Sequence, residues 1–62
     1  MIHMVVYYRE GDPDYILVET DRSSILAAQK AAIEKGFFVT EVIFVDNYTV
    51  MIRMQKNLPE EE

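Results

Sequence analysis

The stretch from Phe37 to Gln55 constrains the fold of this chain more than any other. It contains two runs of β-branched and aromatic residues, separated by Asp46 and Asn47. Such residues favour strands, and Asp and Asn tolerate the positive φ that a tight hairpin turn requires. The pattern therefore predicts a β-hairpin that turns at Asp46-Asn47.

The N-terminal part predicts a second hairpin. Residues 2–9 have strand composition, and residues 15–20 form another strand-like run. The acidic segment 10–14 between them contains Gly11 and Pro13, which do not continue a regular element. We expect a loop of about five residues there.

One helix is predicted between the two hairpins. Strong helix formers dominate residues 24–35, Ser23 and Ser24 are candidates for capping the start, and Gly36 stands where a glycine commonly ends a helix. At helical spacing, the residues expected on one face are Ile25, Ala28, Gln29, Ala32 and Ile33.

Together these elements predict an α+β fold with the order β-β-α-β-β, in which one helix packs on one face of a four-stranded, mainly antiparallel sheet. We expect a single domain from residue 1 to 56 and a disordered acidic tail from 57 to 62. A strand order of 2-1-3-4 keeps the sheet antiparallel throughout, whereas 1-2-3-4 requires a parallel pair. We favour the first order.

The sequence offers little for catalysis or metal binding. The chain has 62 residues with no Cys and one His, so it has no thiolate, and a zinc site would need carboxylate ligands. Segment 10–14 lacks the closing Glu of a calcium-binding EF-hand loop, and no catalytic base is evident near Ser23 and Ser24. We therefore predict a non-enzymatic protein with no catalytic residue, cofactor or metal site.

The sequence shows no membrane or export pattern. Its longest uninterrupted apolar run is far shorter than the roughly 20 residues of a membrane helix, and residues 1–8 lack the basic region of a signal peptide. We expect a cytoplasmic protein that does not bind membranes.

Charge weighs against nucleic acid as a partner. The net charge is −5, and the six Lys and Arg residues are scattered along the chain. Nucleic-acid binders neutralise several phosphates with clustered basic residues, so we do not expect this class.

Two alternatives remain open: a sheet whose aromatic residues stack on single-stranded nucleic acid, and a phage-type acidic inhibitor that occupies the nucleic-acid site of an enzyme. The inhibitor hypothesis requires the acids of segment 10–14 and of Glu60–Glu62 to lie on one side.

The second face of the sheet is the candidate functional surface. One helix can cover only one face, and the first and third strands do not alternate cleanly between apolar and polar residues. Apolar side chains left on the second face would mark an interface with a second copy or with a different protein, unless the sheet curls around its own helix. We predict a protein–protein interaction module that forms a homodimer through the sheet. The predicted interface residues are Val5, Tyr7, Tyr15, Phe37, Val39, Met51 and Arg53.

Overall fold

The computed structural model describes residues 3–56, and it confirms the predicted α+β fold with one helix on one face of an antiparallel four-stranded sheet. A single 3-10 turn precedes the helix, at Arg22–Ser24. The strands and the helix are β1 (Met4–Arg9), β2 (Asp12–Asp21), α1 (Ile25–Glu34), β3 (Phe37–Phe44) and β4 (Thr49–Lys56). The predicted tail 57–62 lies outside the described residues.

The strand order is β1-β2-β4-β3, so both orders considered from the sequence are wrong. α1 connects β2 to β3, and β4 returns between those two strands. The central strands β2 and β4 show the cleanest alternation of buried and partly exposed residues, which suits strands that have neighbours on both sides. β1 and β3 are the edges of the sheet.

The core lies between α1 and the two central strands. The paired residues Val18 and Ile52 are buried, as are Thr20 and its partner Val50. Ala28 and Ala32 are the buried residues of α1. Their small side chains let the helix backbone approach the sheet closely.

The helix deviates from prediction at its start and on its flank. It begins at Ile25 after the 3-10 turn, and the Ser24 side chain makes no capping hydrogen bond. Ile33, predicted to face the sheet, is 67% exposed, because the contact passes through the two alanines instead. Gly36 has a φ of 88°, in agreement with its predicted place beyond the helix end.

The turn between β1 and β2 is tighter than the predicted five-residue loop. Arg9 pairs with Asp12, so only Glu10 and Gly11 lie between the strands. Gly11 has a φ of 81°, a conformation that costs glycine little. The register shifts between Tyr8 and Arg9, so residues 13–15 of β2 have no partner on β1. Pro13 is among them, and it has no N–H to donate to a regular ladder.

The turn between β3 and β4 is longer than predicted and is built differently. No residue other than glycine has a positive φ within residues 3–56, so Asp46 and Asn47 do not form the predicted turn type. Instead, an oxygen of the Asp46 carboxylate accepts hydrogen bonds from the backbone N–H groups of Tyr48 at 2.8 Å and Thr49 at 2.9 Å. The loop spans residues 45–48, and the Asp46 side chain closes it.

β3 contains a bulge. Val39 pairs with Met54 and Glu41 pairs with Arg53, so Thr40 is an extra residue in the ladder. A bulge reverses the face on which the following side chains lie. This reversal determines which β3 residues belong to the candidate site.

Candidate protein interface

The face of the sheet opposite α1 carries two complete rows of side chains, and we call it the open face. Strand pairing aligns the rows across all four strands. The first row is Val5, Glu19, Met51 and Ile43, and the second is Tyr7, Leu17, Arg53 and Glu41. Tyr15 and Phe38 lie beyond the second row on the same face, each beside Gln55. The open face is therefore a mixed surface of apolar and charged side chains.

A carboxylate network lies at the β1 side of the open face. The Tyr7 hydroxyl donates a hydrogen bond of 2.9 Å to one oxygen of Glu19, and Nε2 of His3 lies 3.5 Å from the other. The hydrogen bond and the charge of Glu19 raise the pKa of the Tyr7 phenol above its ordinary value of 10.0. Both oxygens of this carboxylate therefore have partners within the sheet.

Both arginines of the open face also have carboxylate partners. Nε of Arg53 donates to Glu41 at 3.1 Å. The Arg9 guanidinium lies 4.4 Å from the centre of the Tyr15 ring and 3.7 Å from a carboxylate oxygen of Asp12. A shallow depression of about 190 Å³ lies between these side chains, lined in part by Tyr7, Arg9, Tyr15 and Arg53.

This arrangement allows the open face to be covered. Burying an unpaired charge is costly, but a charge that already has a hydrogen-bonded partner loses less on leaving water. Between the pairs lie the apolar side chains of Val5, Leu17, Met51 and Ile43. Each of these four is only partly buried by its neighbours in the chain. A second protein surface can therefore make apolar contacts here while these charged side chains keep their partners.

The predicted interface residues divide into two groups. Val5, Tyr7, Tyr15, Met51 and Arg53 lie together on the open face. Phe37 and Val39 do not, because they precede the bulge and pack against the core. Strict alternation along β3 put them on the wrong side.

Three apolar residues of the open face were not among the predicted interface residues. Leu17 shares its side of β2 with Tyr15, so simple alternation indicates it. Phe38 lies on the open face only because the bulge separates it from Val42 and Phe44. Ile43 follows the bulge. No turn residue or glycine in β3 marks that irregularity in the sequence.

The aromatic residues do not form one platform. Tyr7, Tyr15 and Phe38 are on the open face, whereas Tyr8 and Phe37 are on the helix side of the sheet. A stacking surface for single-stranded nucleic acid needs neighbouring aromatic rings and free cations. The division of the rings and the pairing of both arginines weigh against that alternative.

The acidic residues of the first turn lie at the end of the sheet where β4 ends. Tyr15 pairs with Gln55, and Glu10, Asp12 and Asp14 precede that pair. The inhibitor hypothesis also depends on Glu60–Glu62, which fall outside the described residues. It therefore stays a prediction.

Residues 3–56 contain no cluster of three side chains suited to binding a metal ion. None of the helices in that part of the chain is both long enough and apolar enough to cross a membrane. Comparison of the chain with protein-family models, with curated proteins and with solved structures gave no match.

Proposed function

We propose that this protein is a cytoplasmic, non-enzymatic protein–protein interaction module that forms a homodimer through its open face. The observation that supports the proposal is the partly exposed apolar surface of that face, whose two arginines have carboxylate partners and whose Glu19 accepts a hydrogen bond from Tyr7. α1 occupies the other face, so the fold itself has no element left in residues 3–56 to cover Val5, Leu17, Met51 and Ile43.

The small core gives the same argument an energetic basis. Seven hydrophobic residues are buried within residues 3–56, and two of them are alanines. A chain of this length buries a smaller fraction of its surface than a larger domain and often gains stability by association. If a second copy packs against the open face, each Å² of apolar surface removed from water contributes roughly 25 cal/mol to the stability of the dimer.

A charge at the centre of the open face tests the proposal. Met51 lies between Glu19 and Ile43 in the first row, so Met51→Lys adds an ammonium next to a carboxylate of the same sheet. Both oxygens of Glu19 are already engaged by Tyr7 and His3, so the added ammonium is a surplus charge. It stays in solvent in the monomer, whereas a face-to-face contact buries it. Leu26→Lys is the matched control, because Leu26 is 79% exposed on α1, away from the open face.

Multi-angle light scattering and sedimentation equilibrium give the mass of each variant over a range of concentrations. We expect Met51→Lys to reduce the mass relative to the wild type and Leu26→Lys to leave it unchanged. Circular dichroism checks that both variants keep the α+β fold. A folded Met51→Lys variant with the wild-type mass at every concentration would contradict the open-face dimer.

A separate titration distinguishes this function from nucleic-acid binding. Fluorescently labelled single-stranded RNA at low salt is the most sensitive probe, since low ionic strength strengthens phosphate contacts. We expect no change in anisotropy. Saturable binding that weakens as salt is added would instead support the aromatic-sheet alternative.

A further inference from the structure

The two edge strands of the sheet differ in how they meet solvent. Soluble proteins usually protect an edge strand with a charge, a proline or a bulge. β3 has a bulge at Thr40 and a charge at Glu41. β1 has no charged residue and no proline from Met4 to Tyr8, and its register with β2 is regular over those residues. β1 is therefore the unprotected edge.

The helix also leaves β1 uncovered. The backbone of α1 lies closer to β3 and β2 than to β1. On the helix side of β1, Met4 is 40%, Val6 is 39% and Tyr8 is 71% exposed, whereas the residues opposite them on β2 are buried. A groove of about 170 Å³ separates these side chains from Ala31 and Lys35 of α1. β1 thus combines a free backbone edge with apolar side chains that the rest of residues 3–56 covers only in part.

We propose that β1 pairs antiparallel with β1 of a second copy, which joins two sheets edge to edge. This goes beyond the proposed function, because it uses a surface other than the open face. The two copies would be related by a two-fold axis perpendicular to the sheet, so both helices lie on the same side. Main-chain hydrogen bonds then satisfy the outer N–H and C=O groups of each β1 strand.

The charge distribution leaves this edge open to a second copy. The chain carries a net charge of −5, so two copies repel each other over much of their surface. No acidic residue lies between His3 and Arg9, and Glu19 on the neighbouring strand is engaged by Tyr7 and His3. β1 can therefore approach its own copy without opposing carboxylates.

The side chains of β1 also suit pairing with themselves. In an antiparallel pair of identical strands, residues of one face meet residues of the same face. Met4, Val6 and Tyr8 would then meet the same three residues of the other copy beside the groove. Val5 and Tyr7 would do the same on the open face. Aromatic and β-branched residues are favourable cross-strand partners.

Mass measurements on single and double variants separate the two surfaces. Val6→Lys adds a charge at the centre of β1, and Val6→Thr is the uncharged, β-branched control. If both surfaces act, the wild type forms assemblies larger than a dimer. Val6→Lys and Met51→Lys would each reduce them to dimers, the double variant would be a monomer, and Val6→Thr would retain the wild-type mass.

The outcomes distinguish failure of one proposal from failure of the other. If folded Val6→Lys keeps the wild-type mass, the edge pairing is overturned, whatever Met51→Lys does. If Val6→Lys reduces the mass and Met51→Lys does not, the edge pairing is supported and the open-face dimer is lost. A monomeric wild type overturns both.

Disulfide trapping tests the same pairing without adding a charge. The chain has no cysteine, so a single introduced Cys reports one position only. One residue of a self-paired antiparallel strand lies opposite its own copy, with Cα atoms about 4.5–5.5 Å apart, which is within disulfide range. Cys substitutions at positions 4 to 8, one at a time, should give a sharp maximum of oxidised dimer at one position. Thr40→Cys on the protected edge is the control. Yields that nowhere exceed this control would overturn the pairing.

Discussion

Thr20 shows how one polar side chain is accommodated in a core this small. It is fully buried, and its hydroxyl donates a hydrogen bond of 2.6 Å to the backbone carbonyl of His3. Thr20→Val keeps the shape but removes the donor to a partly buried carbonyl. We expect the free energy of unfolding to fall by about 1 kcal/mol, measured by urea denaturation.

Thr40→Val is the control for that measurement. The Thr40 hydroxyl also donates to a backbone carbonyl, that of Arg53 at 3.2 Å, but this bond is exposed. Water can replace an exposed donor, so we expect a clearly smaller loss of stability than for Thr20→Val. Equal losses in the two variants would show that burial does not determine the contribution of the Thr20 bond.

The lowered pKa of Asp46 should make the stability of the fold depend on pH. The backbone N–H groups of Tyr48 and Thr49 hold the pKa of the Asp46 carboxyl below its ordinary value of 3.8. A lowered pKa in the folded state means that the carboxylate stabilises the fold above pH 3.8. That contribution is lost as the pH falls through the lowered pKa.

Asp46→Asn isolates this contribution, because the amide oxygen can still accept both bonds but does not titrate. We expect the wild type to lose more stability than Asp46→Asn between neutral pH and a pH well below 3.8. Thermal unfolding at several pH values gives the comparison. Parallel pH profiles for the two proteins would show that Asp46 is not responsible for the acid sensitivity.

At the scale of elements, local sequence patterns predicted the two hairpins and the helix, but not how the strands are arranged. Alternation and turn residues are local signals. The order β1-β2-β4-β3 depends on which strands share the core, and the bulge at Thr40 depends on how β3 fits against β4 and α1. The turn after β3 was located correctly, although Asp46 closes it by a side-chain mechanism and not by a positive φ.

The close contact between α1 and the sheet yields a prediction about volume. Ala28 is 2% exposed and lies at the floor of the groove beside β1, so a larger side chain there must displace its core neighbours or fill that groove. Ala28→Leu should lower the free energy of unfolding by about 1–3 kcal/mol through overpacking. Ala27→Leu adds the same atoms at an exposed position of the same helix and should have little effect. Urea denaturation of the pair gives the difference. A harmless Ala28→Leu would indicate a looser helix contact.

At the scale of the whole molecule, the sequence predicted an uncovered face but not an unprotected edge. A single helix cannot cover both faces of a sheet, so length and element count alone pointed to the open face. The exposure of β1 could not be deduced in this way, because the order favoured from the sequence put the first strand inside the sheet. In the observed order β1 is an edge strand, and Met4, Val6 and Tyr8 are exposed to solvent.

Association through either surface should make thermal stability depend on protein concentration. A partner that binds only the folded chain stabilises it by mass action. For a dimer of chains this size, we expect the melting temperature to rise by about 5 °C for each tenfold increase in concentration. Differential scanning calorimetry of the wild type over two concentrations that differ tenfold measures this slope.

Single variants show which surface causes the change in melting temperature with concentration. Met51→Lys and Val6→Lys should each reduce the concentration dependence, and the double variant should melt at one temperature throughout. Leu26→Lys, which alters an exposed position on α1, should keep the wild-type slope. A melting temperature of the wild type that does not change with concentration would mean that association contributes nothing to folding. The small core between α1 and the sheet would then account for the stability by itself.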